Sequence, residues 1–321
     1  MSSLGIMTSG GDAAGMNPAV RNAVERAVSL GMKPHLIYDG LNGLIDDSIM
    51  PAAEVNLSGM LCRGGTMLRT ARSKRFFELE HRERAKDNLA RRGIDKLLVV
   101  GGDGSFRALN QFYSDFGIPF VGIPATIDND IAVTEYCLGV DTASNVIVNA
   151  IDSLRDTGTS MRRAFVVEVM GRDCGYLAMV AALACGAEVC IVPEFEYDLD
   201  SITERLKNRL YVERHSVFAI VAEGVKVGDY LTRMFNDNLG VDSRMTVLGH
   251  IQRGGSPTIY DRVMGYKFAM EAVNALHRGE QGKIVVYRSG SGFDLVPVQE
   301  VAEGKSTVDP VLMEMCRPLS V

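Results

Sequence analysis

Short, continuously apolar runs alternate along the chain with polar loops rich in glycine, aspartate and threonine, and several of these loops lead into a stretch of helical period. Residues 4–7 form the first run and lead through Thr8-Ser9-Gly10-Gly11-Asp12 to a helical pattern bearing Val20, Ala23, Val24, Ala27 and Val28. Asn17-Pro18 offers that helix a cap and a first-turn proline, and Gly31 offers a stop. Leu97-Leu98-Val99-Val100 enters Gly101-Gly102-Asp103-Gly104-Ser105, after which Leu109 and Phe112 share one helical face. Phe120-Val121-Gly122-Ile123 enters Pro124-Ala125-Thr126-Ile127-Asp128-Asn129-Asp130. Strand, loop and helix in this order specify parallel α/β units, because strands covered on both faces read as unbroken apolar runs. Ligands of such sheets bind beyond the carboxyl ends of the strands, so these three polar loops are the expected site.

The pattern restarts with a helix over about residues 142–155 and strands over 164–169, 189–192 and 217–222. Later strands near 247–248 and over 284–287 complete a second α/β half. The apolar stretch 175–192 approaches bilayer-spanning length, but Glu188 and a break at Gly186 divide it into a buried helix and a strand. The charged segment 78–92 reads as one helix with a solvated face. At 321 residues the chain exceeds one ordinary core and is expected to form two compact units.

Composition narrows the function classes. With 46% hydrophobic and 23% charged residues, the chain is neither disordered nor fibrous. A formal charge of −6 argues against a broad nucleic-acid surface, yet leaves room for anionic small molecules at local arginine clusters. Cys62, Cys137, Cys174, Cys185, Cys190 and Cys316 form no CxxC pair and are expected to be free thiols. The first residues lead straight into a strand without a basic and apolar leader, so a cytoplasmic location without a membrane partner is expected.

Three features carry candidate chemistry. In Gly101-Gly102-Asp103-Gly104-Ser105 the glycines let backbone amides approach phosphate while Asp103 can engage Mg2+; a structural turn is the alternative. No GxxxxGK[ST] segment is present, and the glycines lack GxGxxG spacing, so neither a P-loop nor a dinucleotide fingerprint applies. Asp128 and Asp130 stand two apart, and an extended loop points both carboxylates the same way, with one able to accept a hydroxyl proton. Turn capping is the competing explanation for an Asp-Asn-Asp segment.

Taken together, Thr8-Ser9-Gly10-Gly11-Asp12, Gly101 through Ser105, Thr126 through Asp130, Met170-Gly171-Arg172, Glu223 and His250-Ile251-Gln252-Arg253-Gly254-Gly255-Ser256-Pro257 resemble the phosphofructokinase family, in family order and across nearly the whole chain. The resemblance implies two Rossmann-like three-layer α/β/α domains with mostly parallel sheets and an active site in the cleft between them. It divides the chain into a nucleotide-binding domain, 1–138 with 252–305, and a sugar-phosphate-binding domain, 139–251 with 306–321. The implied reaction moves the γ-phosphoryl group of ATP to the C1 hydroxyl of fructose 6-phosphate, with Mg2+ as cofactor. Gly11, Arg72, Gly102, Asp103, Gly104 and Ser105 would hold ATP, with Asp103 serving the metal and Arg72 stabilising the transferring group. Asp128 would be the general base, with Thr126 beside the phosphoryl group, Asp130 tuning the centre and Arg172 meeting the developing charge. The sugar phosphate would be bound by Thr126, Ile127, Asp128, Met170, Gly171, Arg172, Glu223, His250 and Arg253, joined by Arg163 and Arg244. In the family those last two come from a neighbouring subunit, which implies a homotetramer with shared active sites.

Two positions bear on the donor. Pyrophosphate-dependent relatives characteristically carry Asp where this chain has Gly104 and Lys where it has Ala125, so ATP is the expected donor. Phe106-Arg107-Ala108 departs from the Tyr-Met-Gly of a familiar bacterial pattern. Pyrophosphate as donor and another sugar phosphate, such as sedoheptulose 7-phosphate, as acceptor remain the alternatives. Arg21, Arg155, Glu188 and Arg214 match effector positions, but Glu25, Glu54 and Val212 stand where basic side chains occur, and His215 is a weaker cation. Control by ADP or phosphoenolpyruvate is therefore expected to be reduced or rewired.

Overall fold

Two separate sheets account for the strands of the computed structural model, which describes residues 2–161, 163–213, 216–304 and 306–321, the side chains of 209–213 excepted. The strands are β1 (Ser3–Ser9), β2 (Lys33–Ile37), β3 (Ile49–Pro51), β4 (Lys96–Gly101), β5 (Phe120–Pro124), β6 (Ala164–Val169), β7 (Val189–Ile191), β8 (Val217–Ala222), β9 (Ser243–Val247), β10 (Lys283–Arg288) and β11 (Gly292–Pro297). The first sheet has the order β11-β10-β5-β4-β1-β2-β3 and the second β7-β8-β6-β9. The chain divides into one unit of Met1–Thr142 with Arg253–Ser306 and another of Ala143–Gln252 with Thr307–Val321.

In the first unit, β2, β1, β4, β5 and β10 run parallel, while β3 and β11 close the edges antiparallel. Leu97, Leu98, Val99 and Val100 are fully buried, as expected for a central parallel strand covered on both faces. The helix Asp103–Phe116 follows β4 directly, turns Phe106, Leu109 and Phe112 inward, and stops at Gly117 in the left-handed conformation. In the second unit all four strands are parallel. Val166, Val189, Ile191, Ala219 and Val221 from its sheet pack with Ile202, Leu206, Leu231 and Phe235 in one core.

Several expectations are corrected. The strand at 284–287 does not belong to the second half: β10 pairs with β5 in the first sheet, since apolar patterning marks a strand without naming its neighbour. The later strand of the second sheet is Ser243–Val247 rather than 247–248, because its partly exposed position dilutes the apolar signal. Asn17 is not a cap: the helix Met16–Ser29 starts after Gly15, and the Asn17 amide donates to the Arg63 carbonyl and accepts from the Met67 amide. The helix expected to begin near 142 spans Val140–Met161. The apolar stretch 175–192 is a helix, Tyr176–Cys185, stopped by Gly186 at φ 60° and followed by β7. Among the described residues no helix is long and apolar enough to cross a membrane.

Candidate active site

The first unit gathers glycine-rich loops at the carboxyl ends of β1 and β4. Ser105 Oγ donates to Ser9 Oγ at 2.9 Å, tying the two loops together, and a Cβ on Gly101 would press on the Ser9 carbonyl. Beside them lies a cavity of about 470 Å³ whose lining includes Gly10, Gly11, Arg72, Gly102, Gly104 and Ser105 together with the apolar Leu41, Phe77 and Ala108. Gly102 is the cap of the helix Asp103–Phe116, whose free amides and dipole favour an anion there. A Cβ added at Gly104 meets nothing within 4 Å, so this glycine leaves open space on the cavity wall.

Asp103 begins that helix and is half-buried. Its Oδ2 accepts from Arg107 one turn later, while Oδ1 is buried without a hydrogen-bond partner. Burial, more than the repulsion of Asp130, raises its affinity for a proton, and Arg107 opposes the rise. An orphaned carboxylate oxygen near a second carboxylate fits a hard divalent cation. No group of three or more metal-ligating side chains occurs among the described residues, so most oxygens around such a cation would come from phosphate and water.

The Thr126 to Asp130 segment follows β5, the neighbour of β4. Ile127 is fully buried and anchors it. The Asp128 amide donates to Thr126 Oγ1, and that hydroxyl donates to Asp130 Oδ1, both at 3.3 Å. The extended loop expected here is replaced by a turn, because Asn129 adopts φ 51°. Its side chain explains why: Nδ2 donates to the Glu135 carbonyl at 3.1 Å and Oδ1 accepts from the Cys137 amide at 2.9 Å, closing the loop between the two aspartates. The return of the loop is pinned by Asp261, fully buried, which accepts from Tyr136 OH, the Gly139 amide and both donors of Thr142. Neither Asn129 nor Asp261 was singled out from the sequence; the Asp-Asn-Asp turn propensity was the one available signal.

In the second unit, Met170-Gly171-Arg172 and Glu223 end the paired strands β6 and β8. The Gly224 amide donates to the Gly171 carbonyl at 3.0 Å, and a Cβ on Gly224 would collide with the Arg172 carbonyl. Gly171 itself sits at φ 130°, accessible to glycine. Arg172 and Glu223, expected to serve separate groups, face each other at 3.5 Å. Buried Gln252 accepts from the Met170 amide at 3.1 Å and so ties the segment carrying exposed His250 to the end of β6. Arg163 and Arg244 share one partner: Asp242 accepts from Arg163 Nε at 2.7 Å and lies 3.0 Å from Arg244 Nη2. Nothing in the local sequence marks Asp242 for this role. Arg253 is placed elsewhere, in the first unit, where Nη1 donates to the Asp12 carbonyl beside Gly11.

The described effector candidates are each engaged within their own unit. Arg21 is engaged by Glu25 at 2.8 Å. Arg155 donates to the Cys185 carbonyl and stacks over Phe218, whose amide donates to buried Glu188. Arg214 lies outside the described residues.

A mostly parallel sheet with a glycine-lined cavity at its strand ends places the chain in the class of α/β enzymes that take phosphorylated ligands there. The family model described as phosphofructokinase matches residues 3–276. The chain is 48% identical over 314 residues to the ATP-dependent 6-phosphofructokinase of Sulfurimonas denitrificans, covering 98% of each chain. It is 51% identical over 288 residues to that of Wolinella succinogenes, covering 89% of this chain and 90% of the other. The solved phosphofructokinase of Saccharomyces cerevisiae superposes with a TM-score of 0.88 at 32% identity, over 94% of this chain and 45% of that longer one. The chain belongs to the phosphofructokinase family.

Proposed function

We propose that this chain acts as an ATP-dependent 6-phosphofructokinase, moving the γ-phosphoryl group of ATP to the C1 hydroxyl of fructose 6-phosphate and releasing fructose 1,6-bisphosphate and ADP. The observation that carries the donor is the mixed lining of the cavity. Its glycines suit phosphates, and the apolar Leu41, Phe77 and Ala108 suit a nucleoside, which pyrophosphate lacks. Open space at Gly104 and the small buried Ala125 agree with that reading.

Backbone amides around Gly11 and Gly102 to Ser105 receive the donor's phosphates, and Arg72, on the same cavity, offsets charge on the transferring group. Asp103 would hold Mg2+, which would neutralise phosphate charge when bound. Asp128 accepts the proton as the C1 oxygen forms its bond to phosphorus and the bond to the ADP oxygen breaks. Thr126 and Asp130, hydrogen-bonded to each other, keep that segment polar and negative. In the second unit Met170, Gly171, Arg172, Glu223 and His250 serve the sugar phosphate, and Ile127 and Arg253 are the candidates carried by the first unit. Arg163 and Arg244 lie side by side on Asp242, a pairing that suits donation to one phosphate. We assign them to a neighbouring subunit's substrate in a cytoplasmic homotetramer. Engagement of Arg21, Arg155 and Glu188 by neighbours within the chain supports weakened or rewired effector control.

The test is turnover of purified enzyme with fructose 6-phosphate and Mg2+, with ATP and pyrophosphate compared under matched conditions and sedoheptulose 7-phosphate as a second acceptor. ATP with fructose 6-phosphate is expected to give the highest kcat/KM. Turnover with neither donor would overturn the proposal.

A further inference from the structure

Asp103 divides its two oxygens between opposite environments. One is held by Arg107, and the other is buried, without a partner, in the field of a second carboxylate, Asp130. Such a carboxylate needs a compensating positive charge, because repulsion and desolvation both act against its ionised form. Arg107 supplies one from the next turn of the same helix.

The ion pair is built to be broken. The Arg107 side chain is 60% exposed against 31% for Asp103, so water competes for the guanidinium and screens its half of the pair. Guanidinium cannot lose its proton, so it leaves a carboxylate only by swinging to solvent or to another anion. Gly104, Ser105 and Ala108, which flank Arg107 in sequence, line the cavity assigned to the donor.

We propose that Arg107 is a placeholder cation that occupies Asp103 until a metal-bound nucleotide arrives, and thereby selects the metal–nucleotide complex over the bare divalent cation. A bare cation must displace Arg107 and offers it no new partner. A nucleotide-bound cation brings phosphate oxygens to which the guanidinium can transfer. The inference rests on the reading of Asp103 as the metal-holding residue.

Mn2+ binding followed by water-proton relaxation, with and without ADP, tests this in the wild-type protein and in Arg107→Met, Arg107→Gln, Arg107→Lys and Asp103→Asn, with circular dichroism to verify folding. Arg107→Met and Arg107→Gln are expected to bind Mn2+ alone about threefold to tenfold more tightly, from loss of a competitor and of a like charge. Affinity in the presence of ADP should stay within about twofold of wild type or weaken, so the preference for the nucleotide complex falls. Arg107→Lys should remain within about twofold of wild type in both. If Asp103→Asn weakens Mn2+ binding while both uncharged variants leave it unchanged, the placeholder role is overturned and the metal assignment stands. If Asp103→Asn binds Mn2+ as wild type does, the metal assignment fails, and the proposal fails with it.

Discussion

On the proposed function, the two units would meet anions by opposite means. In the first, the cavity lining is rich in glycine, with Gly10, Gly11, Gly102 and Gly104 leaving backbone accessible and Arg72 as the charged side chain. In the second, the candidate contacts are cationic side chains already resting on carboxylates, Arg163 and Arg244 on Asp242 and Arg172 opposite Glu223. Backbone donors lose no side-chain rotamer freedom on binding and are fixed by the strand ends that carry them. Arginine forks cost more to order, but a resident carboxylate holds them in place until a phosphate takes over. Damage should therefore be steric in the first unit and electrostatic in the second.

Reaction chemistry should break the comparison most severely. Asp128→Asn is expected to lower kcat by about 100-fold or more with the fold intact, since positioned bases commonly contribute that much. Asn129→Ala, which removes the two side-chain hydrogen bonds holding the same loop, should lower kcat by about tenfold, on the scale at which slight misplacement of reacting groups acts. A kcat for Asp128→Asn near wild type would remove its role as base; an unchanged kcat in Asn129→Ala alone would show that the loop positions Asp128 without its help.

An effect on binding, smaller than the loss of the base, should separate the units. Arg163→Ser or Arg244→Ser is expected to raise the KM for fructose 6-phosphate by about 10- to 100-fold, the range of a lost charge-assisted hydrogen bond, with the KM for ATP unchanged. Initial-rate measurements that vary each substrate in turn decide this. An unchanged sugar-phosphate KM would count against the anion contacts.

The smallest effect concerns stability in the second unit. Glu168 is pushed above the ordinary carboxylate range by burial first, then by Glu223 and Asp229. A carboxylate raised in the folded state weighs against folding once it is ionised. The penalty is absent below its unfolded value, sets in as pH rises through the folded value and is complete above it. Glu168→Gln should therefore raise Tm modestly near pH 7.5, and the gain should vanish below about pH 4. A variant less stable than wild type at neutral pH would show that Glu168 makes contacts outweighing its charge.

Legibility in the sequence followed burial. Strands β6 and β8 could be bounded to the residue because their six positions are almost wholly apolar and buried. Strands β2, β3 and β11 were invisible: β3 has three residues, β11 is a partly exposed edge, and β2 begins Lys-Pro-His. At the candidate site, the glycines and aspartates stood out by residue type. Their partners did not, since Asp242 and Asp261 occupy unremarkable polar contexts until the fold brings them to the arginines and to the loop after β5.

By itself, the sequence determined the order of strand, loop and helix and the chemical types stationed at each strand end, because local periodicity and glycine placement encode which backbone is buried and which turns. Tertiary structure decided the rest. It placed β10 beside β5, set Arg163 on a carboxylate 79 residues away, and left one oxygen of Asp103 unpartnered beside Asp130. The physical reason is range: periodicity reports on a few turns of backbone, whereas ion pairing and strand neighbours depend on where distant segments meet.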